Sequence, residues 1–350
     1  MSKSKNLLLI VVLFVFIQCD VNTGKVNYFN DNVDTISVNK KFSNINNELY
    51  NPKEISTLSK EKILVSDQAG DGLYKIDLDS DSIIDRSGKG NGPGEVGARG
   101  QIHLEILNDT LIWIHARNYR RSKIMTTGFK EKRRVTRGKS MYAAMLNDTI
   151  LVQIPWNRRS FANLYNLKNG NTINQLDIKN KAFERVYENW ILREGEIMSC
   201  KNGVLFGFKY SSYLVNIQSD SIDVIDNDIN KIDFPEETKK ESKNYFVRPS
   251  TRNPIGTLSI SCEGNDVYVL FSGKYIPQSE SIKAGFKGFS ELAAKLEWAN
   301  TIMVYDMKED KVTRRIMLPL ETRDIAVNGN VLYAISKLDK GPGLGKFELR

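Results

Sequence analysis

The sequence predicts an all-β fold, a six-bladed β-propeller with four antiparallel strands per blade and the ring closed by an N-terminal strand. Three observations carry that prediction. Short apolar runs introduced by a turn recur along the 350 residues: KEKILVSD, NDTLIWIHA, NDTILVQIP, KNGVLFGFK, GNDVYVLFS and GNVLYAIS. Their central residues, Leu64, Leu111, Leu151, Leu205, Val269 and Leu332, are 47, 40, 54, 64 and 63 residues apart, a spacing that suits one β unit per repeat. Each run has another strand-like run after it, such as GLYKIDLDS or TIMVYDMKED, and most are preceded by one, such as GQIHLEIL, GEIMSC or RDIAV. A third run then completes most units, as VTRRIMLP does at 312–319, so the unit reads as four antiparallel strands. Finally, aromatic and β-branched residues alternate with Asn, Asp and Gly turns throughout, a composition that favours strands.

The N-terminus stands apart from this rhythm. Lys3 and Lys5 precede eleven apolar residues, Leu7 to Ile17, and Cys19 follows. Eleven residues are too few to span a bilayer, but the basic and apolar order fits an export signal. The cysteine directly after it reads as a lipobox, although Phe16 and Gln18 depart from the usual residues. We therefore expect residues 1–18 to be a lipoprotein signal peptide, Cys19 the lipidation site, 19–32 a tether and 33–350 one propeller domain. Loss of Lys3 and Lys5 lowers the net charge from +8 to +6. The last unit ends after its third strand, so VDTISVN, Val33 to Asn39, is expected to supply the closing strand.

After the first unit comes SGKGNGPGEVG, residues 87–97. A phosphate loop needs a strand before it and a helix after it. Here a strand follows, so the stretch reads as a connection between blades. The sequence Gly90-Asn91-Gly92-Pro93-Gly94-Glu95, with the six-unit rhythm and the lipobox, resembles the TolB-like six-bladed propeller lipoproteins of Gram-negative bacteria. That resemblance implies a propeller fold and an envelope address, at the outer membrane on its periplasmic or cell-surface face. It implies no catalytic residues.

Charge is distributed unevenly over the loops. Residues 117–139 hold ten Lys/Arg and one acid, Glu131. Arg117, Arg120, Arg121, Arg137 and Lys139, with Arg158 and Arg159 of the next unit, are expected on the face where the central channel opens, beside Tyr119 and Trp156. An arginine also precedes the first strand of five units: Arg99, Arg137, Arg193, Arg252 and Arg323. Arginine suits bidentate recognition of carboxylates, so a cationic channel mouth for an anionic glycan or an acidic protein surface is the expected site. Nucleic acid is a poor partner for an exported chain. The segment 276–300 interrupts the fifth unit, and Phe289, Leu292, Ala293 and Leu296 share one side of a short helix there, expected to pack on the rim. The 29-residue connection from Asp226 to Pro254 is too long for a simple turn.

Other motifs carry less. Asp77, Asp79, Asp81 and Asp85 have the spacing of a calcium loop but lack its glycine and closing acid, so a polar turn is expected. His103 and His115 read as structural, and Cys200 and Cys262 as two free thiols on neighbouring strands. No metal and no cofactor are expected. The function read from the sequence is a membrane-tethered, monomeric binding or scaffolding propeller of the cell envelope. The alternative is a propeller enzyme, a metal-dependent lactonase or hydrolase or a lyase on an acidic sugar, for which Glu194, Glu196 and Asp324 are the acids to inspect.

Overall fold

The structure, a computed structural model, describes residues 23–25, 34–69, 72–90, 92–96, 102–116, 121–135, 140–156, 159–225, 232–235 and 253–349. Four separate antiparallel sheets of four strands follow one another along the chain. The first holds Pro52–Thr57, Lys62–Asp67, Gly72–Asp77 and Ser82–Arg86, and the second Ile102–Asn108, Leu111–Ala116, Arg121–Thr126 and Glu131–Val135. The third holds Ser140–Asn147, Ile150–Pro155, Ala162–Asn166 and Thr172–Leu176, and the fourth Gly195–Cys200, Gly203–Phe208, Leu214–Ile217 and Ile222–Ile225.

Residues beyond 256 depart from the expected count of six separate blades: six of their strands join Asp34–Thr35 and Val38–Lys41 in one eight-stranded sheet. Its long strand Lys311–Asn328 pairs through its first half with Ala299–Asp306 and through its second half with Val331–Leu338. Pro319 sits where the first pairing breaks register, in a bulge that needs no ladder donor from it, so the strand runs on instead of ending. The chain's last strand, Gly341–Glu348, is completed by Val38–Lys41. Closure by an N-terminal strand thus occurs a few residues later than Val33 to Asn39, because Asp34–Thr35 pairs in parallel with Ile316 and Met317 instead.

The first strands of successive sheets lie side by side about one axis, and the second half of Lys311–Asn328 closes the circuit against Pro52–Thr57. Apolar layers fill the spaces between neighbouring sheets, for example Leu64, Ile112 and Met125 between the first and second. The layer between the third and fourth is aromatic: Phe183, Phe208, Tyr213 and Phe234 pack with ring centroids 5.0–5.6 Å apart. Phe234 comes from the long connection after the fourth sheet, where Ile232 and Pro235 are also buried. Between the third and fourth sheets the chain forms three short helical turns, 181–193, that the repeat pattern does not predict.

The glycine-rich stretch is a bracket between blades. Gly88–Lys89 and Glu95–Val96 pair in parallel, and the next element among the described residues is the strand Ile102–Asn108. Gly90 has φ 139°, and a Cβ there would collide with the Glu95 carboxylate, which accepts from Gly92 N at 2.6 Å. Lys123, buried on the second sheet, donates to the carbonyls of Gly92 and Glu95 at 2.9 and 2.8 Å. Asp77 Oδ1 likewise accepts from Asp79 N and Ser80 N at 3.1 and 3.0 Å, a polar turn as expected.

Cys200 and Cys262 form a disulfide, which corrects the expectation of free thiols. Their Cα atoms are 5.6 Å apart, well inside the bridging range, because first strands near the axis lie closer than ordinary blade spacing suggests.

Candidate functional site

First strands of neighbouring blades do not form a ladder, so N–H groups along their edges need other acceptors. Side chains at the axis supply them. Asp324 Oδ2 accepts from Ile55 N at 2.6 Å, Glu54 Oε2 from Leu104 N at 3.1 Å, and Tyr142 Oη from Gly195 N at 3.0 Å. Ser259 Oγ accepts from Ile325 N at 3.2 Å while donating to Asp324 Oδ1. Deeper in, Glu105 accepts from Met145 N at 3.2 Å and Ser199 N at 2.8 Å, tying three blades together. Acceptors are needed here, so the axis is lined by carboxylates and hydroxyls.

Register places Glu54, His103, Tyr142, Glu196, Ser259 and Asp324 at matching heights, opposite Ser66, His115, Ile154, Gly207, Leu270 and Ile335. Five of these six line a narrow axial cavity of about 20 Å³. Glu54, Glu196 and Asp324 also form the floor of a wider cavity of about 80 Å³ at one end of the axis. Its wall carries Lys53, Lys209 and Arg323, with Thr257, Leu258 and Glu297. Burial, with the Glu196 charge adding to it, pushes the Asp324 carboxyl up to about 7 against the hydrogen bonds from Ser259 and Ile55.

The rim is cationic and preorganised. The Arg323 guanidinium lies 4.1 Å from the centre of the Trp298 ring, a stacking that holds it flat. Its Nη1 donates to Asn51 Oδ1 at 3.1 Å and Pro52 O at 3.3 Å, while Nε is buried without a hydrogen-bond partner. Lys53 Nζ lies 3.4 Å from Glu297. Burial lowers the Lys53 pKa, and the nearby charges of Arg323 and Lys209 lower it further against the pull of Glu297. Lys209 Nζ is 3.9 Å from Glu194, whose carboxylate also accepts from the Tyr210 hydroxyl at 3.2 Å.

The helix of the fifth unit, Gln278–Lys295, delivers Glu297 and Trp298 to this wall. Leu292 and Leu296 bury against Ile255 and Ile276, so the helix packs on the rim as expected, and its C-terminal end also shapes the cavity.

Of the arginines expected at the mouth, the structure brings Arg323 to the cavity. Arg193 is a correction. It is fully buried, donating from Nε to Val186 O at 3.1 Å and from Nη1 to Ser160 O at 3.0 Å, with its guanidinium 5.2 Å from the Tyr187 ring centre. A group so enclosed fastens the 181–193 turns to the third sheet, away from the open mouth where it was expected. Trp156 and Arg159 are exposed near the end of the third sheet, and Arg121 opens the strand Arg121–Thr126. Arg99, Arg117, Arg120, Arg137, Lys139, Arg158, Arg252 and Cys19 lie outside the described residues. Of the three acids singled out, Glu196 and Asp324 line the cavity and Glu194 stands at the Lys209 pair.

His115 Nδ1 shares a hydrogen bond with Ser122 Oγ at 2.8 Å, a structural role as expected. His103 differs: it is buried at the axial cavity, its Nδ1 3.9 Å from Glu54 and its Nε2 3.1 Å from Glu105. Among the described residues, no group of three or more His, Cys, Asp or Glu is arranged to hold a metal ion. No helix of the described residues is long and apolar enough to cross a membrane.

No protein-family model and no curated protein sequence matches the chain. Solved structures do. A protein of Bacteroides fragilis NCTC 9343, named as an exported protein, is similar with a TM-score of 0.52 and 12% identity over 95% of each chain. A DUF4221 family member from Bacteroides vulgatus ATCC 8482 has a TM-score of 0.53 and 10% identity over 90% of this chain and 97% of its own. At such identities these likenesses show the fold alone. The fold is an all-β propeller of four-stranded blades.

Proposed function

We propose that the chain is an exported, lipid-anchored propeller of the cell envelope that binds a small ligand in its end cavity through an anionic group. The observation that carries the reading is Arg323: a guanidinium lying over Trp298 in the wall of an open cavity, beside Lys53 and Lys209. Six blades are part of this proposal. The two halves of Lys311–Asn328 pair with different strands, so the eight-stranded sheet reads as two blades sharing one strand, which gives the six blades of the TolB-like lipoproteins the sequence resembles. Export is supported by the apolar stretch before Cys19, by the disulfide, and by the similarity to a protein named as exported. The outer membrane, a monomeric state, an anionic glycan end or acidic envelope protein as ligand source, and a surrounding role for the loop arginines belong to the same proposal.

Thermal unfolding of the full-length chain in detergent, titrated with glucuronate at low and high salt, tests the reading. Ligand at 100 times its Kd should stabilise by about 2.7 kcal/mol. Arg323→Gln should remove that shift, and an unchanged melting temperature with every carboxylate tried would refute the site.

A further inference from the structure

The end cavity is layered by charge. Its wall has three cationic side chains, Lys53, Lys209 and Arg323, with Glu297 and Glu194 as partial counterweights to the two lysines; its floor has Glu54, Glu196 and Asp324. The layering is written twice in the chain, as Lys53-Glu54 and Arg323-Asp324, on two neighbouring first strands. Successive strand residues rise about 3.3 Å, so the two layers are offset by about that distance plus the longer reach of lysine and arginine.

A singly charged ligand satisfies one layer and leaves the other uncompensated. A simple carboxylate at the wall would leave its inner end against carboxylates. A simple amine at the floor would have to pass three cations.

We infer that the cavity takes a small zwitterion, with its ammonium towards Glu54, Glu196 and Asp324 and its carboxylate towards Lys53, Lys209 and Arg323. The inference rests on the proposed reading of the cavity as a ligand site and names the ligand class. The short offset between layers and the volume of about 80 Å³ fit an amino acid with few atoms between its charges, from glycine to 4-aminobutyrate. A substituent extends outward through the open mouth.

Calorimetric titration of the full-length chain with β-alanine and 4-aminobutyrate, set against butyrate and butylamine, tests this. One of the zwitterions should bind at least tenfold tighter than both singly charged analogues. Glu196→Gln should abolish that advantage while leaving butyrate binding in place, and Lys53→Met should weaken the zwitterion and butyrate together. Circular dichroism melts of both variants establish that they are folded. Equal affinity for the zwitterion and butyrate would overturn the inference while the anion-binding cavity stands. Tightest binding of butylamine would overturn it as well. Failure of every probe, glucuronate included, would overturn both readings.

Discussion

Asp324 should make this protein less stable as pH rises, opposite to the usual carboxylate effect. Its carboxyl is enclosed between three blades, holding Ile55 N and Ser259 Oγ, and faces Glu196, Glu54 and His103 across the axis. Burial first, and Glu196 second, push it from 3.8 to about 7. A carboxyl with a raised folded pKa binds more protons folded than unfolded. Its stabilising protonation is therefore fully present below the unfolded value and lost as pH climbs from about 4 through 7. At about 1.4 kcal/mol per pH unit, the loss between pH 5 and 8 is on the order of 2–3 kcal/mol. Asp324→Asn mimics the protonated acid: its amide oxygen can accept from Ile55 N, and its amide can donate to Ser259 Oγ. Urea unfolding of both proteins at pH 5, 6, 7 and 8 gives the comparison, in which titrations elsewhere cancel. The variant should match the wild type at pH 5 and exceed it by on the order of 2 kcal/mol at pH 8. A difference that is flat with pH, or that favours the wild type at pH 8, would refute the argument that this carboxyl is held near neutral by its enclosure.

Three further outcomes follow from the packing. Reducing Cys200–Cys262, which spans 62 residues, should lower the urea midpoint by an amount corresponding to at most about 4 kcal/mol on the chain-entropy model; ready alkylation of both cysteines in the non-reduced, folded protein would contradict the bond. Arg193→Met leaves Val186, Pro155 and Ser160 carbonyls without their buried donor and should cost about 3 kcal/mol or more. Its readout is soluble yield and melting temperature, and a variant as stable as the wild type would undo the structural role. Gly90→Ala, at φ 139° and against the Glu95 carboxylate, should cost about 1–3 kcal/mol in unfolding experiments, whereas a phosphate-binding role would show as lost affinity for phosphate at unchanged stability.

The blades were legible because their information is local: a turn, an alternating apolar strand and a second turn specify a hairpin wherever they occur. Blade number was harder to read, since Pro319 looks like a strand end and acts as a bulge within one strand. The acidic floor beneath the cationic rim was missed for a similar reason. Loop arginines are conspicuous in a sequence, whereas the need of an unpaired strand edge for acceptors is visible only once first strands stand side by side. Yet a trace of it is present. Four first strands carry an acid followed by isoleucine: Glu54-Ile55, Glu105-Ile106, Glu196-Ile197 and Asp324-Ile325. The isoleucine enters or borders the core between blades and the acid turns to the axis, so the pair records both duties of an inner strand. Lys53, Lys209, Thr257 and Trp298 carry no such mark, because what unites them is only that neighbouring blades bring them to one rim. Arg193 and Arg323 make the same point from the other side. Both precede a first strand, yet the 181–193 turns fold over one and leave the other on Trp298 facing the cavity, so the function of each arginine is set by what the intervening chain covers.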